Sequence, residues 1–228
     1  MHAANRSSQL VVLAKYWEPG QVKTRLAATV GELAATRIHR EFVRCIVWRL
    51  RATAYRRSIA VWPSHRQAAF RKLAPRSWRV LPQIPGDLGK KLDFLFRRHL
   101  SQPDSSLLAI GADSPDLPRE ILLQAFTKLE THCVVLGPAT DGGYYLIGMK
   151  RHVPIFDGIE WGSGCVLEQT LERLKASGIE PALLETWPDV DNWDDLCALR
   201  DRLARPTTDR PLMRLAERIE SALASVPQ

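Results

Sequence analysis

The sequence predicts an α/β domain with a mainly parallel sheet covered on both faces. Three observations predict it. Short apolar runs alternate with helical patterns along the chain. The polar, glycine-bearing motifs follow the apolar runs, as they do where ligands sit beyond the carboxyl ends of strands. At 228 residues, 45% of them hydrophobic, the chain suits one domain with a substantial core.

The elements follow in order. Leu10–Ala14 is a continuous apolar run, the pattern of a buried strand. A turn spans Lys15–Leu26, holding Pro19 and Gly20, and a long helical pattern covers Glu32–Ala54. Strands at Ser58–Trp62 and Trp78–Pro82 flank a helix at His65–Leu73. Helix Leu88–Leu100 leads to strand Ser106–Gly111, and helix Arg119–Leu129 to strand Cys133–Gly137. Tyr144–Met149 follows a Gly-Gly turn, so an antiparallel place in a mixed sheet is expected for it. A helix at Ser163–Ala176, a short strand at Ala182–Leu184 and helices at Trp193–Leu203 and Leu212–Leu223 complete the pattern. The one turn-rich joint, Ala204–Pro211, divides the chain into a domain at 1–205 and a C-terminal helical extension at 206–228. That last helix either caps the body or mediates association, so a homodimer is one expectation for it.

Composition narrows the partners. The first hundred residues carry 20 Lys/Arg against 5 Asp/Glu, and the remainder 12 against 20. A basic half points to an anionic ligand. Its arginines are not interleaved with aromatics as a single-strand binder requires, so no nucleic-acid partner is expected. No apolar run approaches the ~18 residues of a membrane helix. The N-terminal run is too short for a signal peptide and Lys15 follows it at once, so a cytoplasmic location with no membrane span is expected. The four cysteines form no C-x-x-C pair, and buried reduced thiols are expected rather than a disulfide frame or zinc site.

Five motifs carry the chemistry. In the first, Gly20 lets backbone N–H groups approach an anion, and Lys15, Lys23 and Arg25 offset a di- or triphosphate. With Ala14 at the strand end and Thr24 in the turn, this makes a phosphate site. It matches neither G-x-x-x-x-G-K-[ST] nor G-x-G-x-x-G. The second runs from Gln83 to Leu92. Gln83 could read a nucleobase edge, Gly86 and Gly89 permit close backbone approach, and Asp87 is either a ligand or a helix N-cap. The third places Asp113 just past a strand and Asp116 three residues on. Acids near bound phosphates invite Mg²⁺ or Mn²⁺. Asp116, standing before Leu-Pro, is also a good turn or cap residue. The fourth holds Asp141, Gly142, Gly143 and Tyr144, either an acceptor site with Asp141 as base or a plain Asp-Gly turn. The fifth, Asp189-Val-Asp-Asn-Trp-Asp-Asp, reads as Asn192 capping a helix whose first turn bears Asp194 and Asp195. Asp189 and Asp191 alternate ahead of the cap, and Asp191 is chosen to join Asp113 on a metal. Trp161 is a candidate wall of the substrate pocket.

Taken together, Lys15…Pro19-Gly20-x-Val22-Lys23-Thr24-Arg25-Leu26, Gly86-Asp87-Leu88-Gly89, Gly111-x-Asp113-Ser-Pro-Asp-Leu-Pro118, Asp141-Gly-Gly-Tyr144 and Asp189-Val-Asp191 resemble one bacterial family. It is the DUF2064-type, glycosyltransferase-A-like branch of the nucleotide-diphospho-sugar transferase superfamily. The resemblance runs from about Leu10 to Leu203. It implies a three-layer α/β/α sandwich with a mixed sheet. The layout is also similar to small nucleotidyltransferases, which implies a basic loop on the donor phosphates and metal-holding acids at Asp113 and Asp191. Trp17, Asn192-Trp193 and Ser163 depart from the family pattern, and no charged position is lost.

The resulting expectation is a Mg²⁺- or Mn²⁺-dependent transferase that uses a nucleotide or nucleotide-sugar and a small acceptor. Lys23 and Arg25 would stabilise the leaving phosphate and Asp141 would orient the acceptor. Glycosyl transfer from a nucleotide-sugar stands first. Nucleotidyl transfer from a triphosphate is the alternative, and a non-catalytic nucleotide-binding protein a third.

Overall fold

The computed structural model describes residues 8–52, 55–101 and 105–225. Seven strands form one sheet: β1 Ser8–Lys15, β2 Arg56–Trp62, β3 Arg79–Pro82, β4 Ser106–Ile110, β5 Val134–Pro138, β6 Tyr144–Met149 and β7 Ala182–Leu183. Their order is β3-β2-β1-β4-β6-β5-β7. β6 runs antiparallel to both neighbours, β4 and β5, and every other pairing is parallel. The mixed, mainly parallel sheet expected from the alternating runs is therefore present, with the reversed strand where the Gly-Gly turn put it.

Alternate residues of the central strands feed two cores. Leu10, Val12 and Ala14 of β1 and Leu108 and Ile110 of β4 enter one layer with the helices α2 (Glu32–Arg49) and α5 (Arg119–Thr131). Val11, Leu107 and Ala109 enter the other, with α4 (Leu88–His99) and α6 (Val166–Ala176). Burial on both faces is why these strands read as unbroken apolar runs rather than alternating ones.

Helices α1 (Thr24–Val30), α3 (Gln67–Leu73), α7 (Trp193–Leu203) and α8 (Arg210–Leu223) complete the fold. The expected Glu32–Ala54 helix ends at Arg49, and its last two residues lie outside the described residues. α1 was not expected. It has seven residues, two of them buried, and starts from Lys23 with no side-chain cap, so it leaves no periodic trace. Gly31, at φ +80°, ends α1 and opens α2, a reversal that a residue with a Cβ adopts only at a cost.

α8 is no appendage. Leu215, Ile219 and Ala222 share a third core with Leu26, Phe42, Cys45, Leu196 and Leu199. Arg49 pairs with Asp209 just ahead of α8, and Arg200 of α7 pairs with Glu220 within it. The loop at Ala204–Pro211 leads into a helix that caps the body, one of the two roles expected for it. Among the described residues no helix is long and apolar enough to cross a membrane.

Candidate active site

β1 sends its connections toward β2 and β3 on one side, and β4 opens the other half of the sheet. The crevice at the carboxyl ends of β1 and β4 is where such a sheet binds ligands. Two adjoining clefts meet there and share Leu13, Leu88, Gly111, Asp113 and Asp191.

The first cleft, of about 570 Å³, is lined by Ala14, Lys15, Lys23, Thr24, Gln83, Gly86, Asp87 and Lys91 among others. Its centre is Lys23, whose side chain is 3% exposed and whose ammonium meets Asp113 on one side and Asp191 at 2.9 Å on the other. Lys23 is the one non-glycine residue among those described with a positive φ, 49°. Left-handed backbone costs about 1 kcal/mol or more for such a residue, so the two carboxylates offset strain that a surface lysine would not bear. Burial would discharge Lys23, but Asp113 and Asp191 outweigh it and hold the ammonium above its usual pKa. Burial likewise works to raise Asp113, and Lys23 with His39 keeps it below the ordinary carboxylate range.

Backbone bonds bring the distant acids together. The Val190 N–H donates to the Asp113 carbonyl at 3.0 Å, tying the 189–191 segment to the end of β4. Asp195 accepts from the Asp191 and Asn192 N–H groups at 3.0 Å each, while Asn192 caps α7 by accepting from Asp195 N–H. The cap expected from the sequence thus also fixes Asp191.

The second cleft, of about 390 Å³, is walled by Leu92, Tyr144, Tyr145, Trp161 and Val166 and carries Asp141, Gly143, Asp189 and Asp191 at its mouth. Tyr144 and Trp161 meet edge to face, 6.4 Å between ring centroids. Carboxylate oxygens of Asp141, Asp189 and Asp191 lie within 4.8 Å of one another. Burial and then the neighbouring Asp141 and Asp191 push Asp189 up to about 6.

Several expected site residues have other work. Asp116 does not reach the cleft: it is buried, pairs with Arg202 of α7 at 2.6 Å and accepts from the Trp187 indole. Arg25 is exposed on α1 and lines neither cleft. Asp87 is the N-cap of α4, accepting from Lys90 N–H at 2.8 Å. Gly89 makes room for a side chain rather than a ligand, since a Cβ there would lie 2.5 Å from the Trp161 indole nitrogen. The Gln83 amide donates to the carbonyls of Ala14 at 3.3 Å and Ala60 at 2.8 Å, strapping the ends of β1 and β2. Gly20 lies at φ +74° beside the Glu32 carboxylate, away from both clefts. Gly142 backs onto Gly164, where a Cβ would collide with the carbonyl oxygen. Asp141 does form the tight turn, accepting from Gly143 N–H at 2.8 Å, and still faces the acid cluster. Asp113, chosen as a metal ligand, is engaged by Lys23, and the cluster of three acids forms one residue further round at Asp189.

Three residues were missed. Asp189 stood in the right motif and lost to Asp191, although their i, i+2 spacing on an extended segment puts both on one side. Lys91 reads as a first-turn surface charge, yet it lies over the Trp62 ring at 4.7 Å with its pKa lowered by burial and by Lys15. His39 sits mid-helix with no local signal. It is buried in the floor of the first cleft and donates from Nε2 to the Lys15 carbonyl at 3.1 Å. Burial lowers its pKa.

The fold class is that of the nucleotide-diphospho-sugar transferases. A protein of Desulfovibrio desulfuricans G20, whose own assignment as a nucleotide-diphospho-sugar transferase is provisional, superposes with a TM-score of 0.85 at 30% identity, over 96% of this chain and 97% of the other. Residues 48–163 match the family described as uncharacterized protein conserved in bacteria (DUF2064), and the chain belongs to that family. More distant structures share the fold alone. The 4-diphosphocytidyl-2C-methyl-D-erythritol synthase of Anaerococcus prevotii gives a TM-score of 0.56 at 10% identity, over 88% of this chain and 99% of that one. A cytidylyltransferase of Leptospira borgpetersenii gives 0.55 at 10% identity, over 97% and 98%. No curated protein matches the sequence.

Proposed function

We propose that this protein is a transferase that takes a nucleotide-sugar donor in the first cleft and an acceptor in the second. The observation that carries the reading is Lys23, held buried and strained between Asp113 and Asp191 where the two clefts join. A lysine kept charged at that junction meets the donor phosphates and stabilises charge developing on a departing one. Lys15 and Lys91 reach the same cleft from β1 and α4. Tyr144 and Trp161 give the acceptor a dry aromatic wall, a common face for a sugar ring or another flat apolar surface. The Asp141 carboxylate stands in the second cleft, placed to orient an attacking hydroxyl.

The three clustered acids also fit a hard divalent cation. Their donors are all carboxylate oxygens, which suits Mg²⁺ or Mn²⁺. Burial first, and then the nearby Asp141 and Asp191 carboxylates, raise the Asp189 pKa. Asp141, Asp189 and Asp191 would hold the ion, which when bound would supply Lewis-acid neutralisation of donor phosphate charge. Lys23 meanwhile keeps Asp113 and one oxygen of Asp191 occupied.

A second reading is favoured by the convergence of Lys15, Lys23 and Lys91 on one cleft, a charge that suits a triphosphate. It is transfer of a nucleotidyl group to an acceptor phosphate with release of pyrophosphate, the chemistry of the cytidylyltransferases that share the fold. One experiment separates the two: incubation with nucleotide-sugars and, separately, nucleoside triphosphates, each with Mg²⁺ or Mn²⁺ and candidate acceptors. Release of nucleoside diphosphate supports glycosyl transfer, and release of pyrophosphate supports nucleotidyl transfer. Failure of every nucleotide to raise the melting temperature would refute both.

A further inference from the structure

Away from the clefts, α2 and α8 lie side by side and antiparallel. Arg37, early in α2, donates to Ser225 beyond α8, and Arg49 at the other end of α2 meets Asp209 ahead of α8. Their outer surface carries an uncommon charge. Arg37 and Arg44 lie seven residues apart on one stripe of α2, Arg51 follows in the turn just beyond it, and Arg210, Arg214 and Arg218 recur at four-residue spacing along α8. Five of these six line one open groove of about 360 Å³ between the helices, where they outnumber the two carboxylates, Glu41 and Glu217. Some arginines elsewhere meet a carboxylate, as Arg66, Arg97, Arg119, Arg200 and Arg202 do, while others such as Arg98 and Arg151 meet none among the described residues; what sets this face apart is that five converge on one groove. On this face Arg44 reaches Glu41 only at 4.0 Å, and Arg51, Arg210, Arg214 and Arg218 meet no carboxylate within that distance among the described residues. Packing like charges this closely destabilises the folded state unless an anionic partner compensates them.

Apolar side chains stand on the same two helices, Trp48 in the groove itself. Leu33 and Trp48 on α2 and Met213 on α8 are exposed. Guanidinium groups alternating with exposed aromatic and aliphatic side chains on a helical face suit a bilayer interface, where the rings and chains enter the acyl boundary and the arginines meet phosphates. A nucleic acid would use the charge and leave Leu33 and Met213 without a role.

We propose that the α2–α8 face docks the protein on a bilayer bearing anionic headgroups. Leu33 lies beside Glu32, whose carboxylate abuts Gly20 of the basic loop, so one end of the docked face adjoins that loop. The proposal does not depend on which group is transferred.

The test is co-sedimentation of the full chain with phosphatidylcholine vesicles, with and without 30 mol% phosphatidylglycerol, at ~0.1 and ~0.5 M NaCl. Binding is expected only to the anionic vesicles and should weaken at least tenfold at the higher salt. The variant R44E/R214E/R218E should lose roughly 100-fold or more in partitioning, at about fivefold per arginine. R98E/R151E/K175E, on the opposite layer, should bind as the parent does. W48A/M213A should bind several-fold more weakly with its salt dependence unchanged, a readout that survives if the triple arginine variant fails to fold. Equal binding to neutral vesicles, or equal loss in both charge-reversed variants, would overturn the proposal. So would tighter binding of a single-stranded RNA 20-mer that R44E/R214E/R218E abolishes, because the face would then belong to nucleic acid.

Discussion

Lys23 couples backbone strain to electrostatics, and the two can be pulled apart. Lys23→Ala keeps the left-handed backbone and removes the ammonium, while Lys23→Gly removes both strain and charge. Urea denaturation should therefore rank the glycine variant about 1 kcal/mol more stable than the alanine one, the reverse of the usual order. Both should lose nucleotide affinity. Asp189 gives a pH prediction. Its folded pKa, about 6, lies above the ordinary carboxylate value of 3.8. The metal-free fold therefore gains from protonated Asp189 below pH 3.8 and loses that gain as pH rises through about 6. Metal affinity should run the other way, strengthening from pH 5 to 7 as the carboxyl ionises. Asp189→Asn should flatten the stability profile, measured by thermal denaturation across pH, and weaken Mn²⁺ binding by calorimetry. A metal affinity independent of pH over that range would remove Asp189 from the ligand set. For Asp116 the expectation differs. Asp116→Ala leaves Arg202 without its partner and should cost about 2–3 kcal/mol in unfolding, with Mn²⁺ affinity unchanged.

At the scale of elements, what could be read from sequence depended on periodicity. All seven strands and seven of the eight helices follow from apolar runs and 3.6-residue patterns, because burial on defined faces leaves a mark in the order of residues. α1 left none, since a seven-residue helix with two buried side chains has no period to detect. The acids Asp113 and Asp191 were legible as strand-end and pre-cap positions. The preference for Asp191 over Asp189 was not decidable that way, because a hydrogen bond from Val190 to Asp113 sets how the segment lies. Likewise Gly89 read as a ligand contact, though its space belongs to Trp161, 72 positions away in the chain, and to the Phe156 carbonyl, 2.9 Å from where a Cβ would stand. Gly89→Ala should thus displace the indole and weaken acceptor binding. Combined with Trp161→Phe, which removes the colliding nitrogen, the double variant should recover thermal stability beyond the sum of the single effects. Additive losses would show that the two positions do not meet.

For the whole molecule, the sheet order and the three cores make α8 part of the fold. A chain ending at residue 205 would expose the apolar surface that Leu215 and Ile219 cover, a loss of about 4 kcal/mol from those two side chains. Such a chain should melt well below the full protein or fail to fold, as scanning calorimetry would show. A melting temperature within a few degrees of the full chain would restore the helical extension as a separate unit. The charge asymmetry read from composition also has a whole-molecule meaning. The basic half supplies β1 and α4 with their lysines and α2 with its arginines, and the acidic half supplies the rim opposite them. The polarity of the chain thus becomes a polarity across the crevice.

The reversal of β6 carries one more consequence. Because β6 runs against β4 and β5, the short hairpin at 139–143 hangs at the same edge as the end of β4, yet it belongs to neither lysine-bearing segment. Residues could be added to or exchanged in that hairpin without shifting the register of any parallel pair. Around its fixed points, Asp141 and Gly142, the hairpin is thus a place where descendants of this scaffold can vary the second cleft while the lysine-bearing segments stay as they are.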